Sequence, residues 1–252
     1  MKKILLLISC CLFALTSCEI DNYEAPNASI HGSIIDGKTG ELVGMDVQEG
    51  GELKVVELGF ENPQDQSWRI MNTGEYRNDL VFAATYDIRM ENNNCYAFVE
   101  KDVVVKKGDN TKDFKVTPYI RIKNPKIEKN GNQIVATFSL EGGKGDEKLA
   151  SLQLFAFSDM WVGNSVKFRL SGGTDKVDFG IPVDIDSSQT YTLTIDIAAN
   201  QSSFKYTGKN YYFRIGAKAN IPNVGTIRYN YSALVAIPVS YTHLRAHETL
   251  RH

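Results

Sequence analysis

Cysteine is scarce in this sequence, and its few cysteines are unevenly placed. Three of the four, Cys10, Cys11 and Cys18, lie within the first 18 residues, which leaves Cys95 alone in the rest of the chain. A single cysteine cannot close an internal disulfide, so a hydrophobic core must stabilise the fold. We expect Cys95 to be a structural thiol, because no CxxC motif or partner histidine accompanies it.

The sequence also has little that indicates catalysis or metal binding. Three of the four histidines fall in the last ten residues, so His31 is the only histidine of the body. There is no GxSxG nucleophile motif and no glycine-rich phosphate loop. Asp184 and Asp186 lack the glycine and terminal glutamate of a calcium-binding EF-hand loop. We therefore predict no catalytic residue, no metal site and no cofactor.

Helical periodicity is absent as well, and strict alternation of apolar and polar residues takes its place. One face of a segment carries Ile134, Ala136, Phe138 and Leu140, and residues 191–197 and 211–218 alternate in the same way. Such a period of two is typical of half-buried strands. Asn130-Gly131 predicts a hairpin with a type I′ turn between two such runs. The predicted fold class is all-β, with two tandem β-sandwiches.

The first 17 residues are typical of an export signal. Lys2 and Lys3 precede an apolar stretch of about a dozen residues, which is short of the roughly 20 that a membrane-spanning helix needs. The ending Leu15-Thr16-Ser17-Cys18 resembles a bacterial lipobox, which implies acylation of Cys18. We therefore predict a lipoprotein signal peptide over residues 1–17.

An acidic stalk over residues 18–27 follows the predicted acylation site. Its residues Glu19, Asp21 and Glu24 resemble the signal that sends Bacteroidetes lipoproteins to the cell surface. The alternative is a solvated stalk with no sorting role. We expect a lipid-anchored outer-membrane protein that faces the cell surface.

Residues 239–252 differ sharply in composition from the strands before them. This segment resembles the translation of a transposon-type sequencing adapter, so we predict a non-native tail and set its histidines aside. The 28 Lys and Arg include Lys2, Lys3, Arg245 and Arg251, and the 30 Asp and Glu include Glu248. Residues 19–238 therefore carry a formal net charge of −5, which argues against nucleic acid as a partner.

Two domains are expected, over residues 28–118 and 119–238, because Pro118 suits a domain junction. Residues 30–43 resemble the opening hairpin of transthyretin-like, carboxypeptidase-regulatory-like domains. The whole body resembles a family of two-domain Bacteroidetes lipoproteins of unknown function, especially over residues 116–122 and 152–160. The resemblance implies an immunoglobulin-like second domain. It also implies a gene beside a starch-utilisation-type (Sus-like) glycan transporter, as a possible partner complex.

Aromatic residues flanked by polar ones are the candidates for polysaccharide binding, because sugar rings stack on flat aromatic faces. The first candidate is Trp161 with Asp159 and Asn164, and the second is Trp68 with Arg69. The alternative for Trp161 is that it caps the core of the second sandwich, and the candidate at Trp68 is the weaker of the two.

Three functions remain open from the sequence alone. A non-enzymatic surface lipoprotein that assists glycan capture is favoured. The alternatives are a fimbrillin-like structural or adhesive subunit, completed by a donor strand from the next subunit, and a hydrolase with paired carboxylates.

Overall fold

The computed structural model describes residues 24–172 and 174–239. These residues form strands, turns and loops without any helix, which confirms the all-β prediction. Accordingly, no helix within this part of the chain has the length and apolar character needed to cross a membrane. Cys18, Glu19, Asp21 and residues 240–252 lie outside the described residues, so acylation, surface export and the non-native tail stay predictions.

The first eight strands form the N-terminal domain. They are β1 (Ala28–Asp36), β2 (Glu52–Glu57), β3 (Asp65–Arg69), β4 (Glu75–Val81), β5 (Thr85–Met90), β6 (Phe98–Val104), β7 (Gly108–Thr111) and β8 (Phe114–Val116). One sheet has the order β4-β1-β7, with β8 also paired to β1, and the other has the order β3-β2-β5-β6. Strand β1 is antiparallel to β4 and parallel to β7 and β8.

The second eight strands form the C-terminal domain. They are β9 (Ile120–Asn130), β10 (Gln133–Gly142), β11 (Lys148–Phe157), β12 (Lys176–Asp184), β13 (Tyr191–Asp196), β14 (Lys209–Asn220), β15 (Asn230–Tyr231) and β16 (Val235–Val239). One sheet has the order β13-β10-β9, and the other has the order β12-β11-β14-β15, with β16 also paired to β14.

Each domain has its own hydrophobic core, and the alternating runs supply it. Ile134, Ala136, Phe138 and Leu140 all point into the C-terminal core from β10. The N-terminal core draws on every strand from β1 to β5 and includes Cys95, whose burial raises the pKa of its thiol to about 12. Cys95 is therefore a structural thiol, as expected.

The β9–β10 hairpin forms where Asn130-Gly131 predicts it, but its turn differs from the prediction. Asn130 pairs with Gln133, so Gly131 and Asn132 are the two central residues. Gly131 has a positive φ of 58°, whereas Asn130 and Asn132 do not have a positive φ. Positive φ at the first central residue alone, with glycine there, is the pattern of a type II′ turn. The register of the strands, rather than the dipeptide, set which residues became central.

The two ends of the N-terminal domain have different neighbours. At one end Asp36, Asn72 and Asn94 contact the C-terminal domain. At the opposite end the chain enters at Ala28, beside Val81 and Gly108. The C-terminal domain therefore lies at the end away from the chain's entry.

Candidate functional site

A buried ion pair joins the two domains where β1 ends and β9 begins. Arg121 Nε donates to Asp36 Oδ2 over 2.5 Å and Arg121 Nη2 to Asp36 Oδ1 over 2.9 Å. Burial raises the pKa of the Asp36 carboxyl, but the hydrogen bonds from Arg121 and from Lys38 N outweigh burial and hold that pKa below its ordinary value. Asp36 is therefore ionised at neutral pH, and the pair links the two domains through a buried contact.

A second arginine, Arg214 on β14, extends from the C-terminal domain into the N-terminal one. Its guanidinium donates to the carbonyl oxygens of Met45 and Asn72, each over 3.1 Å. It also lies 4.3 Å from the centre of the Tyr231 ring. Burial lowers the pKa of Arg214 to about 10, so the group is still a cation at neutral pH. Carbonyl dipoles and an aromatic face stabilise this buried charge.

A carboxylate beside this arginine binds the loop of residues 158–165. Asp46 accepts hydrogen bonds from Ser165 N over 2.9 Å and from Ser165 Oγ over 2.5 Å. Burial raises the pKa of Asp46, but the bonds from Ser165 and from the backbone N–H of Gln48 and Glu49 hold it below its ordinary value. The loop is therefore fixed to the N-terminal domain rather than free in solvent.

Two asparagines complete the contact across the domains. Asn94 Nδ2 donates to the carbonyl oxygens of Gly44 and Tyr229, and Asn230 Nδ2 donates to the carbonyl of Asn94. Asn230 Oδ1 accepts from Ile120 N, at the first residue of β9. The interface is thus built mainly from buried polar groups, most of which are hydrogen bonded, although Asn94 Oδ1 has no partner among the described residues.

A cleft opens between the domains next to these contacts. It has a volume of about 660 Å³, within the range of about 300–1,000 Å³ that ligand sites occupy. Its N-terminal wall includes Glu41, Leu42 and Asn72, and its C-terminal wall includes Lys123 and Leu234. The walls therefore combine hydrogen-bonding groups with aliphatic surface.

One wall residue has an unused hydrogen-bonding atom. Asn72 is 3% exposed, and its Nδ2 donates to the carbonyl of Met160 over 2.6 Å. Its Oδ1 is buried and has no hydrogen-bond partner among the described residues. Leaving a buried acceptor unpaired costs about 1–3 kcal/mol, so this amide makes the cleft wall locally unfavourable.

The first candidate loop is only partly open to a ligand. Asp159 is exposed and Trp161 is half-buried. Asn164 is already bound, because its Nδ2 donates to Glu49 and its Oδ1 accepts from Lys167. Trp161 and Asp159 remain candidates at the edge of the interface, whereas the amide of Asn164 serves the contact between domains.

The second candidate, Trp68 with Arg69, does not form a binding surface. Trp68 is 2% exposed and packs against Tyr76 and Tyr86 in the N-terminal core. Arg69 is exposed on the other face of β3 and lies 3.9 Å from Glu52. The prediction that Trp68 stacks on a sugar ring is wrong, because alternation along β3 turns its side chain inward.

The acidic and histidine residues considered for chemistry have structural partners. Asp186 accepts from Ser188 N and closes a turn, and Asp184 Oδ1 lies 3.1 Å from Lys148 Nζ. His31 Nδ1 lies 3.3 Å from Asp109 Oδ1, on the surface of β1. Among the described residues, no three His, Cys, Asp or Glu side chains are grouped so that they could hold a metal ion.

The residues that form the interface were not recognised as functional in the sequence. The alternation of residues 211–218 puts Arg214 on the polar face of its strand, and Asp36 directly precedes the turn residue Gly37. A charged residue inside a run as apolar as residues 211–217 is the one signal that indicates a special partner.

Two family models divide the chain near residue 118. The model described as "Protein of unknown function (DUF3823) N-terminal domain" matches residues 28–117, and "Domain of unknown function (DUF3823_C)" matches residues 120–236. Among curated proteins, none matches this sequence significantly.

Solved structures resemble the chain over nearly all of the described residues. A "putative carbohydrate binding protein" from Bacteroides uniformis is 60% identical with a TM-score of 0.82, over 85% of this chain and 100% of that chain. A DUF3823 family protein from Parabacteroides merdae is 20% identical with a TM-score of 0.67, over 85% and 100% of the two chains. One from Bacteroides ovatus is also 20% identical with a TM-score of 0.65, over 84% and 98%. These last two show the shared fold.

Proposed function

This chain belongs to the two-domain DUF3823 family of Bacteroidetes, whose function is unknown, and from that premise we propose that it is a carbohydrate-binding protein without enzymatic activity. The name given to the relative at 60% identity supports this class of ligand. In the finer form of the proposal, Cys18 is acylated and the protein assists polysaccharide capture at the cell surface, beside a Sus-like transporter. The signal and lipobox pattern of residues 1–18 supports the anchor.

The interdomain cleft is the proposed binding site, and its volume and its mixed polar and aliphatic wall are the observation that carries it. Sugar hydroxyls both donate and accept hydrogen bonds, as such a wall requires. Glu41 and Lys123 add a carboxylate and an ammonium group at the rim, where further hydroxyls would bind. Leu42 and Leu234 offer aliphatic contacts to the C–H faces of a sugar ring.

Aromatic stacking has a smaller part in this site than the sequence predicted. Tyr231 is the aromatic residue of the cleft wall, and the guanidinium of Arg214 already lies over its ring. Recognition in the cleft would depend mainly on hydrogen bonds, with Trp161 as a separate candidate at the edge of the interface.

Affinity electrophoresis of the mature protein in gels containing xylan, pectin, mannan or dextran tests the proposal. We expect one polysaccharide to retard the protein, and Lys123→Met to weaken its binding by up to about tenfold, since one hydrogen bond contributes about 1 kcal/mol. Lys129→Met is the matched control, because Lys129 is exposed on the same strand but does not line the cleft.

The variants also separate the two candidate sites. If Trp161→Ala weakens binding while Lys123→Met does not, the 158–165 loop is the site and the cleft is not. If none of the polysaccharides retards the protein, the carbohydrate-binding proposal fails for these ligand classes.

The fimbrillin-like alternative has no support in the strand order. Donor-strand assembly would require removal of the N-terminal strand to open a groove. Here β1 is bonded to β4 on one side and to β7 and β8 on the other, and it buries Ile30 and Ile34 in the core. Removal of β1 would therefore take buried core residues away together with the strand pairings on both of its sides.

A further inference from the structure

The end of the N-terminal domain where the chain enters is formed by loops that lie close together. Asn27 accepts a hydrogen bond from Ala83 N at its Oδ1 and from Gly108 N at its carbonyl. Leu58 N donates to the carbonyl of Thr85. These bonds bring the β2–β3, β4–β5 and β6–β7 connections together beside the entering chain.

Four large apolar side chains are exposed at this end. Leu80 is 77% exposed, Phe60 65%, Val104 63% and Phe82 41%. Leu80 and Phe82 flank the buried Val81, so alternation turns both outward, and Val104 pairs with Thr85. We name these four residues the apolar tip. Scattered exposed apolar residues are ordinary, but four large ones at the same end of a domain indicate a contact surface.

The occupant of this surface follows from where the chain leads. Asn27 follows Cys18 by nine positions, and a chain of nine residue steps spans at most about 32 Å. If Cys18 carries acyl chains, the entering end of the domain is tethered next to a lipid surface, while the C-terminal domain lies at the other end. Exposed Lys106 and Lys107 follow Val104 by two and three residues, where their charged ends suit a headgroup layer.

We propose that the apolar tip enters the interface of the membrane that holds the acyl chains of Cys18. This rests on the acylation included in the proposed function. The tether makes the encounter intramolecular, so four side chains suffice for a contact that would be weak in a free protein. The tip sets the domain upright on the membrane and directs the C-terminal domain away from it.

Fluorescence of single labelled cysteines tests this orientation. The acylated mature protein carrying Leu80→Cys is labelled with the environment-sensitive probe NBD and reconstituted into phosphatidylcholine vesicles. Cys95 is buried and should stay unlabelled. We expect the NBD emission to shift to the blue on reconstitution. We also expect spin-labelled lipids to quench this emission. Ile181→Cys is the matched control, because Ile181 is 85% exposed on β12 of the C-terminal domain and should show neither change.

Each result supports or overturns the proposal. An NBD spectrum at position 80 that matches position 181 overturns the proposal and leaves acylation and carbohydrate binding intact. A blue shift that depends on protein density but not on spin-labelled lipid shows a second copy at the tip and also overturns it. If mass spectrometry of the N-terminal peptide shows no acyl chain on Cys18, the anchor and the tip proposal fail together.

Discussion

The two ends of the N-terminal domain differ in the groups that they carry. The end that meets the C-terminal domain buries Asp36, Asp46 and Asn94, each with several hydrogen-bond partners. The end where the chain enters exposes Leu80 and Phe60 instead. Charged groups are thus inside at one end and apolar groups outside at the other, which reverses the usual distribution at both places.

This difference has a physical explanation in what each end contacts. A buried, hydrogen-bonded ion pair such as Asp36–Arg121 adds little net stability, but it tolerates few alternative geometries because an unpaired buried charge is costly. Such groups suit an interface that must hold a cleft at constant width. The apolar tip has no counterpart of this kind within the described residues, and it is available to an outside surface.

Replacement of Arg214 tests the end that meets the C-terminal domain, and we expect it to have the largest effect on stability. Arg214→Met leaves the carbonyls of Met45, Asn72 and Ser232 without this donor, and each buried group left unpaired costs about 1–3 kcal/mol, so we expect a loss of about 3–5 kcal/mol in the free energy of unfolding. Urea denaturation measures it. Leu80→Ser at the apolar tip is the comparison and should change that free energy by less than about 0.5 kcal/mol. Equal losses in the two variants would contradict the difference between the ends.

A smaller effect is expected from a methyl group added at the interface. A Cβ added at residue 44 would lie closer to Arg214 Nη2 than a van der Waals contact allows. Gly44→Ala should therefore cost about 2 kcal/mol, because the guanidinium must move from its carbonyl partners. Gly180→Ala is the matched control, since nothing lies within 4 Å of its added Cβ. A melting temperature of Gly44→Ala equal to that of the Gly180→Ala control would show that the interface is loosely packed.

Of the three changes, a lower pH should destabilise the interface least. The pKa of Asp36 and of Asp46 is lower in the folded protein than in the unfolded chain. Both carboxylates therefore stabilise the folded protein at pH values above the unfolded-state pKa of about 3.9. This contribution is lost as the pH falls through the folded-state pKa. We expect the melting temperature to fall between about pH 5 and pH 2.

The matched variant for the acid experiment is Asp46→Asn, which keeps the shape of the side chain but does not titrate. Its melting temperature should depend less steeply on pH over the same range, measured by differential scanning calorimetry. Identical pH profiles for the variant and the parent protein would show that Asp46 does not couple protonation to stability.

Local patterns were enough to predict the strands but not which surfaces pack against the other domain. Residues 191–197 and 211–217 alternate as predicted, and their apolar faces form the C-terminal core. The same alternation also placed Arg214 opposite the core, which holds for its own domain. Its burial is completed by the N-terminal domain, which packs on that face of β14. The apolar run of residues 211–217 indicates that Arg214 has a partner but does not say which one.

The tryptophans show the same limit from the other side. Trp68 and Trp161 both have polar neighbours in the sequence, so both were candidates for sugar stacking. Strand β3 turns Trp68 into a core, and the loop that holds Trp161 is bound to the other domain through Met160 and Ser165. Exposure depends on residues far away in the chain, and composition alone does not supply it.

The sequence by itself determined an all-β chain with cores made of alternating residues, because a period of two is a local property of extended backbone. The tertiary structure alone decided which polar residues join the domains, where the cleft lies and which apolar residues stay outside. Those features depend on pairs such as Asp36 and Arg121, which are 85 residues apart and meet only when both domains have formed.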